Sequence, residues 1–422
     1  MVMTTQDDVA GATMSRLEDV YRDLHSHPEL SFSETRTSAL ISAWLDGHGY
    51  RVLSGVGGTG VVGILERGTG PVVLLRADMD ALPVQEATGL PYASAVRGVD
   101  GDGREVPVMH ACGHDMHVTC LLGAAQRLAA DQAGWGGTLV LVFQPAEEVV
   151  RGAQAMVDDL LFERVPRPDV VLGQHVAPLP AGVLGVRSGP AFAATDSLRI
   201  TMTGAGGHGS RPEATVDPVV MAAATVMRLQ TVVSREVAGT DTAVLTVGAL
   251  RAGNKANIIP DRAELLVNVR SYDPVVRAGI LAAIGRIVDA EAAASGASAA
   301  PQIESIETAP AVVNDPGAVE RTRAALESVV GPGRVVDPGP VTGSEDVGVL
   351  AAAGHAPCVF WLLGGADPVA FAGADGVEAI RQVTARLPSN HSPYYAPVIQ
   401  PTLAIGVGAL EAAAREWLAK GP

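Results

Sequence analysis

The sequence predicts an α/β protein with a mainly parallel sheet, interrupted by an inserted α+β domain of ferredoxin-like order. Three observations carry this. Apolar runs of buried-strand type alternate with helical periods in the first half of the chain and again at its end. Polar, chemistry-bearing residues stand where those runs stop. Across residues 191–308 the order changes to β-α-β-β-α-β.

The elements follow in turn. Pro71–Arg76 is a short apolar run leading into Asp78-Met79-Asp80. Asp115–Ala130 carries Val118, Leu121, Leu122, Ala125 and Leu128 at helical spacing. Thr138–Phe143 is a second buried strand, ending in Gln144-Pro145-Ala146-Glu147-Glu148, and Asp169–Gly173 is a third, ending at Gln174-His175. Open sheets of this kind place their site outside the carboxyl ends of the strands. Asp78, Asp80, Glu147, Glu148 and His175 are therefore expected to converge with Cys112 and His114.

In the inserted block, Ser197–Met202 reads as a strand, Val216–Arg235 as a helix, and Ala243–Leu250 and Ala263–Val269 as strands. Asp273 caps a helix with Pro274 at its first position, running to about Ala294. Gln302–Glu307 closes the block. The expected limits are 1–190 and 309–422 for the main domain and 191–308 for the insertion. After Val312 the alternation resumes, and it ends in a helix from about Pro401 to Lys420.

A chain of 422 residues is too long for one ordinary core, which agrees with two domains. The formal charge of -16 argues against nucleic acid and against a basic membrane-binding patch. Three Cys without framework spacing suit a reducing compartment. The N-terminus shows no basic and apolar leader, and no apolar run approaches the roughly 20 residues that span a bilayer. A soluble cytoplasmic protein is expected.

The chemistry concentrates in Met109–His117. Three of the ten His and one of the three Cys fall there, with Asp115 among them. Thiolate, imidazole and carboxylate bind zinc-like ions, so the stretch is either a metal site or a Cys/His nucleophile pair. Cys112 and His114, two apart, can aim at one ion from a loop entering a helix. Glu147 and Glu148 are neighbours whose side chains diverge, so one can ligate while the other acts as general base. His175 and His391 add two imidazoles. Taken singly, each is better read as a core or surface residue; their shared position along one sheet edge favours a site. Five candidate ligands exceed a closed four-ligand set, which favours two metals, in such sites about 3.5–4 Å apart.

Ordered blocks along nearly the whole chain resemble the M20 family of metallopeptidases and amidohydrolases, in its hippurate hydrolase, auxin-conjugate hydrolase and aminoacylase branch. They are Arg22–Ser31, Leu75–Pro83, Met109–His117, Phe143–Glu148, Gly173–His175, Gly207–Pro212, Asn257–Pro260, Thr342–Asp346 and Asn390–Pro393. The resemblance implies a zinc-peptidase-like main domain with the insertion as a lid and homodimer interface. It implies metal ligation by Cys112, His114, Glu148, His175 and His391, with two divalent ions per subunit (Zn, Mn, Co or Ni). Glu147 would be the general base, and Asp80 would orient a ligand. His208 would stabilise an oxyanion, and Asn257 and Arg270 would hold a substrate carboxylate. The implied reaction is hydrolysis of the amide bond of an N-acyl amino acid or short peptide-like substrate.

Two positions depart from the branch. Val347 stands where an aromatic is usual, and Ala396–Pro401 lacks the usual acidic residues. His110 and His117 are expected to support the site, His25 and His27 to make structural hydrogen bonds, and Cys120 and Cys358 to be buried thiols. A Cys112 thiol-nucleophile amidase and a non-catalytic binding paralogue are the rival readings. The first leaves Glu147, Glu148, His175 and His391 without a role; the second requires the loss of ligands that are all present.

Overall fold

The computed structural model describes residues 6–419; Met1–Thr5 and Lys420, at the expected end of the last helix, lie outside them. The chain forms two compact units. The first comprises Met1–Ala191, Val313–Gly339 and Asp346–Pro422; the second comprises Phe192–Val312 and Pro340–Glu345.

The first unit is built on an eight-stranded sheet. Its order is Arg51–Val56, Gly60–Arg67, Gly137–Gln144, Val72–Asp78, Val170–Pro180, Cys358–Ala366, Leu184–Gly185 and Val335–Val336. The four central strands from Gly137–Gln144 to Cys358–Ala366 are mutually parallel. Val73, Leu74, Leu75, Leu139, Val140, Leu141, Val170, Val171 and Leu172 are wholly buried. This is why these strands read as unbroken apolar runs rather than alternating ones.

The ends of these strands are staggered. Val72–Asp78 pairs with Gly137–Gln144 along its whole length, but with Val170–Pro180 only as far as Arg76↔Gly173. Val170–Pro180 continues against Cys358–Ala366, with His175 opposite Leu362. The expected strand end at Gln174-His175 is thereby corrected. His175 lies inside a longer strand, and the step beside it comes from its neighbour stopping short.

The helix His114–Ala130 begins after Gly113, whose φ of +82° suits glycine. It is buried continuously from His114 to Ala125, so it is an interior helix. It crosses Thr402–Leu418 at very close range. A Cβ on Gly123 would lie 2.6 Å from Val407 Cγ2 and 2.8 Å from Leu17 Cδ1. A Cβ on Gly406 would lie 2.4 Å from Cys120 Sγ.

The second unit is a four-stranded antiparallel sheet, in the order Ala243–Ala252, Arg262–Ser271, Ala194–Thr203, Gln302–Ala309. Two helices, Pro218–Glu236 and Pro274–Ala294, cover one face. Each starts with an Asp cap followed by Pro: the Asp217 carboxylate accepts from the Val219 N–H, and that of Asp273 from the N–H groups of Val275 and Val276. Ile200, Met202, Leu265, Val267, Met221, Leu229, Ile284 and Val288 form its core. No helix among the described residues is long and apolar enough to cross a membrane.

The helix glycines yield opposite predictions. Replacing an exposed helix glycine by Ala gains about 0.5–1 kcal/mol, and Gly279, with nothing within 4 Å of its Cβ position, should follow that rule. Gly123→Ala should instead lose about 1–3 kcal/mol, because overpacking outweighs propensity. Urea unfolding of the two variants checks the sign.

Candidate metal centre

The site in the first unit is organised around Asp80, the second residue after the Val72–Asp78 strand. Its Oδ1 accepts from the His114 ring Nδ1 at 3.2 Å and from the Glu147 N–H at 3.1 Å. Its Oδ2 accepts from Ser31 Oγ at 2.7 Å and from the Glu148 N–H at 3.0 Å. One carboxylate thus sets a candidate ligand ring and the backbone of both glutamates. Ala146, just before them, turns the chain at a φ of +51°, and its N–H is held by Glu34 Oε1 at 2.9 Å.

With Nδ1 engaged, His114 presents Nε2 to the site, 3.7 Å from Glu148 Oε1 and 3.9 Å from Glu147 Oε2. His114 Nε2 and Glu148 Oε1 are both buried without a hydrogen-bond partner. Glu148 Oε2 lies 3.2 Å from His391 Nε2. His175 donates its Nδ1–H to the Val176 carbonyl at 2.8 Å, and its Nε2 is 3.5 Å from Cys112 Sγ. Donor atoms of Cys112, Glu148 and His391 lie within 4.8 Å of one another, as do those of His114, Glu147 and Glu148, so Glu148 belongs to both groups. Cys112, His114, Glu147, Glu148, His175 and His391 thus lie together at the step in the sheet.

His117 is differently placed. Its Nδ1–H donates to Asp78 Oδ1, and its Nε2 accepts the Val176 N–H at 2.7 Å. Both ring nitrogens are used, so it supports the site rather than facing it. Asp78 is buried and also accepts from Arg76 Nη1 at 2.8 Å. His110 is buried with neither ring nitrogen hydrogen-bonded. Burial pushes its pKa down to about 4 and keeps it neutral.

The electrostatics call for added positive charge. Burial works against a protonated His114, yet Asp78, Asp80 and Glu148 outweigh it and raise its pKa to about 10. Burial, then Glu148, Glu147 and Asp78, push the Cys112 thiol well above its usual range. Sulfur, imidazole and carboxylate donors around unpartnered buried atoms fit a borderline divalent ion.

A second charged cluster lies behind the first. His25 is wholly buried, with Nδ1 2.6 Å from Asp115 Oδ2 and Nε2 3.1 Å from Glu86 Oε1. Asp115 is the second residue of the helix that carries His114. His27 is exposed and bonds the Asp23 carbonyl at 2.8 Å. Cys120 and Cys358 are buried free thiols. Val347 is wholly buried at the start of the helix Val347–Gly354.

In the second unit, His208 pairs with Ile258 in a two-stranded ribbon, and Asn257 precedes that strand. The Ser210 N–H donates to His208 Nδ1 at 3.1 Å, which leaves Nε2 as the ring N–H donor. Arg270 donates to Asn268 Oδ1 at 3.0 Å and to Ser344 Oγ at 2.6 Å.

Residues 74–374 match the family model for peptidase family M20/M25/M40. The chain belongs to the M20 family. It is a metal-dependent amidohydrolase of that family. Similar M20 proteins include the N-acetylcysteine deacetylase of Bacillus subtilis (strain 168), 38% identical over 304 residues, covering 71% of this chain and 76% of that one. The hippurate hydrolase of Campylobacter jejuni is 43% identical over 262 residues, covering 62% of this chain and 65% of that one. The fold resembles the Bacillus subtilis YXEP protein, a dinuclear metal-binding peptidase of the M20 family, with a TM-score of 0.75 and 29% identity, covering 96% and 98% of the two chains.

Several contacts of the candidate centre have no signature in the sequence. Ser31 lies inside the Arg22–Ser31 block, yet its bond to Asp80 has no spacing signal. Arg76, buried under Asp78, reads in sequence as an ordinary strand residue. Asn390, beside His391, is polar and next to a candidate ligand; that adjacency was the one clue available.

The His25 cluster makes stability depend on pH. Burial disfavours the charged ring, but Asp115 and Glu86 overcome it and raise its pKa from 6.5 to about 10. A raised folded-state pKa stabilises fully below the unfolded value and loses that contribution as pH rises through the folded one. The urea midpoint should therefore fall between about pH 6.5 and 10. His25→Gln, at matched metal content, should be less stable at neutral pH and lack this part of the slope.

Proposed function

We propose that this M20 enzyme hydrolyses the amide bond of N-acyl amino acids, using two divalent ions held by Cys112, His114, Glu148, His175 and His391. One observation carries the reading: two donor groups share Glu148, with Glu147 beside them. The names of the relatives, a deacetylase of N-acetylcysteine and a hippurate hydrolase, support an N-acyl amino acid as the substrate class. The mixed S, N and O donors suit Zn, Mn, Co or Ni.

When bound, the ions would polarise the scissile carbonyl and acidify the attacking water. Glu147 is 6% exposed and its backbone is pinned by Asp80. It takes the proton from that water and returns it to the leaving amine nitrogen, which otherwise departs as a poor anion. Asp80 keeps His114 in the tautomer that presents Nε2. His208, with Nε2–H as its donor, is assigned to the oxyanion of the tetrahedral intermediate. Asn257 and Arg270 are assigned to the substrate carboxylate. A homodimer formed through the inserted unit, with His208 acting within or across subunits, and a cytoplasmic location belong to the same proposal.

The thiol-nucleophile alternative is disfavoured by the surroundings of Cys112. Reactive cysteines sit where positive charge lowers their pKa, whereas burial, Glu148 and Glu147 raise this one.

Incubation with N-acetyl amino acids, hippurate and long-chain acyl amino acids should give chelator-sensitive hydrolysis. Full activity in strong chelator, with no bound ion, would overturn the reading. Glu147→Gln should lower kcat by about 10²–10⁴-fold while keeping wild-type metal stoichiometry. Metal binding must displace protons from Cys112 and His114, so affinity should fall from pH 8 to pH 5. Calorimetry in buffers of different ionisation enthalpy should show net proton release.

A further inference from the structure

The backbone of Val176, next to His175, is a meeting point. The Val176 N–H is taken by His117, and its carbonyl accepts from His175 Nδ1 at 2.8 Å, Asn390 Nδ2 at 3.1 Å and Tyr395 OH at 3.3 Å. The same Asn390 amide also reaches the Cys112 carbonyl at 3.1 Å and Cys112 Sγ at 3.7 Å. Next to it, the His391 N–H donates to the Ala111 carbonyl at 2.8 Å, and His391 adopts a φ of +72°. A non-glycine residue holds that conformation only where its surroundings impose it.

One primary amide therefore joins three segments distant in sequence, those carrying Cys112, His175 and His391. The Asn390 nitrogen has its lone pair delocalised into the amide, so the atom turned toward Cys112 is a hydrogen-bond donor and not a metal ligand. What it offers is N–H groups. A donor aimed at a thiolate sulfur withdraws charge from it and fixes its direction, as outer contacts do for ligating imidazoles.

We propose that Asn390 is a positioning residue for the metal centre, binding the Cys112 loop to the His175 strand and turning an N–H, shared with a carbonyl, toward the Cys112 sulfur. This rests on the reading that Cys112, His175 and His391 are ligands. Asn390→Asp keeps the shape but replaces the donors by carboxylate oxygens, which repel Sγ and both carbonyls. Asn390→Ala removes the contacts altogether.

The test is a Co(II) titration of metal-stripped protein, with the affinity read against a competing chelator. The sulfur-to-cobalt charge-transfer band is recorded for wild type, Asn390→Asp, Asn390→Ala and Cys112→Ser. Both Asn390 variants should bind Co(II) about 10–100-fold more weakly and shift the band. A purely structural role would leave the band where it is. Wild-type affinity with an unshifted band in both variants overturns the proposal. Should both lose the fold, Asn390→Gln, which keeps the amide but displaces it, is judged by the same two readouts. A wild-type band that is missing, or that survives in Cys112→Ser, would instead sink the ligand assignment on which the proposal rests.

Discussion

Four donors from three stretches of chain converge on the Asp80 carboxylate: a serine hydroxyl, an imidazole and two consecutive backbone N–H groups. Hydrogen bonds to an ionised acceptor are stronger than neutral ones, and the Asp80 carboxylate that accepts all four is buried. The arrangement converts a strand end into a fixed frame. His114 cannot rotate without losing its partner, and Glu147 and Glu148 cannot shift without breaking both backbone bonds. Candidate ligand and candidate base are therefore placed by the same group, so a disturbance at Asp80 reaches both.

A frame of this kind concentrates negative charge. Asp78, Asp80, Glu147 and Asp115 are buried, and Glu148 is nearly so. The protein compensates part of it with residues of its own. Arg76 neutralises Asp78 from below, and His25 sits between Asp115 and Glu86. The compensation ends at the face where His114 and Glu148 present unpartnered atoms. Isolated buried charge is expensive, so a site left negative on one face alone favours the arrival of a cation.

Much of this was legible in the sequence, for physical reasons that differ by element. The buried strands show themselves because parallel strands are apolar on both faces, and the inserted unit because its element order changes and one of its helices opens on the local Asp273-Pro274 signal. The true length of Val170–Pro180 was hidden. Its second half is held by Cys358–Ala366, a partner far away in sequence, and contains Pro178 and Pro180, which argue locally against a strand. The candidate ligands stood out because Cys and His are scarce and crowded together. His114 and His117, three apart on one helix, look alike in sequence. They are told apart by what their ring nitrogens bond: Nδ1 alone of the first, to Asp80, and both nitrogens of the second, to Asp78 and the Val176 N–H. Asn390 and Ser31 act through single side-chain contacts, which no periodicity encodes.

The staggered strand ends have a consequence for how this chain can change. Alternate residues of a strand face opposite sides of the sheet. His175 turns toward Cys112, while its neighbour Gln174 turns the other way to bond the Gly406 carbonyl and Trp361. Which side chain faces the candidate site is therefore written in the parity of the residue count along Val170–Pro180. Losing one residue ahead of Gln174 would turn His175 to the opposite face and leave Val176 in its place, and gaining one would leave Gln174 there.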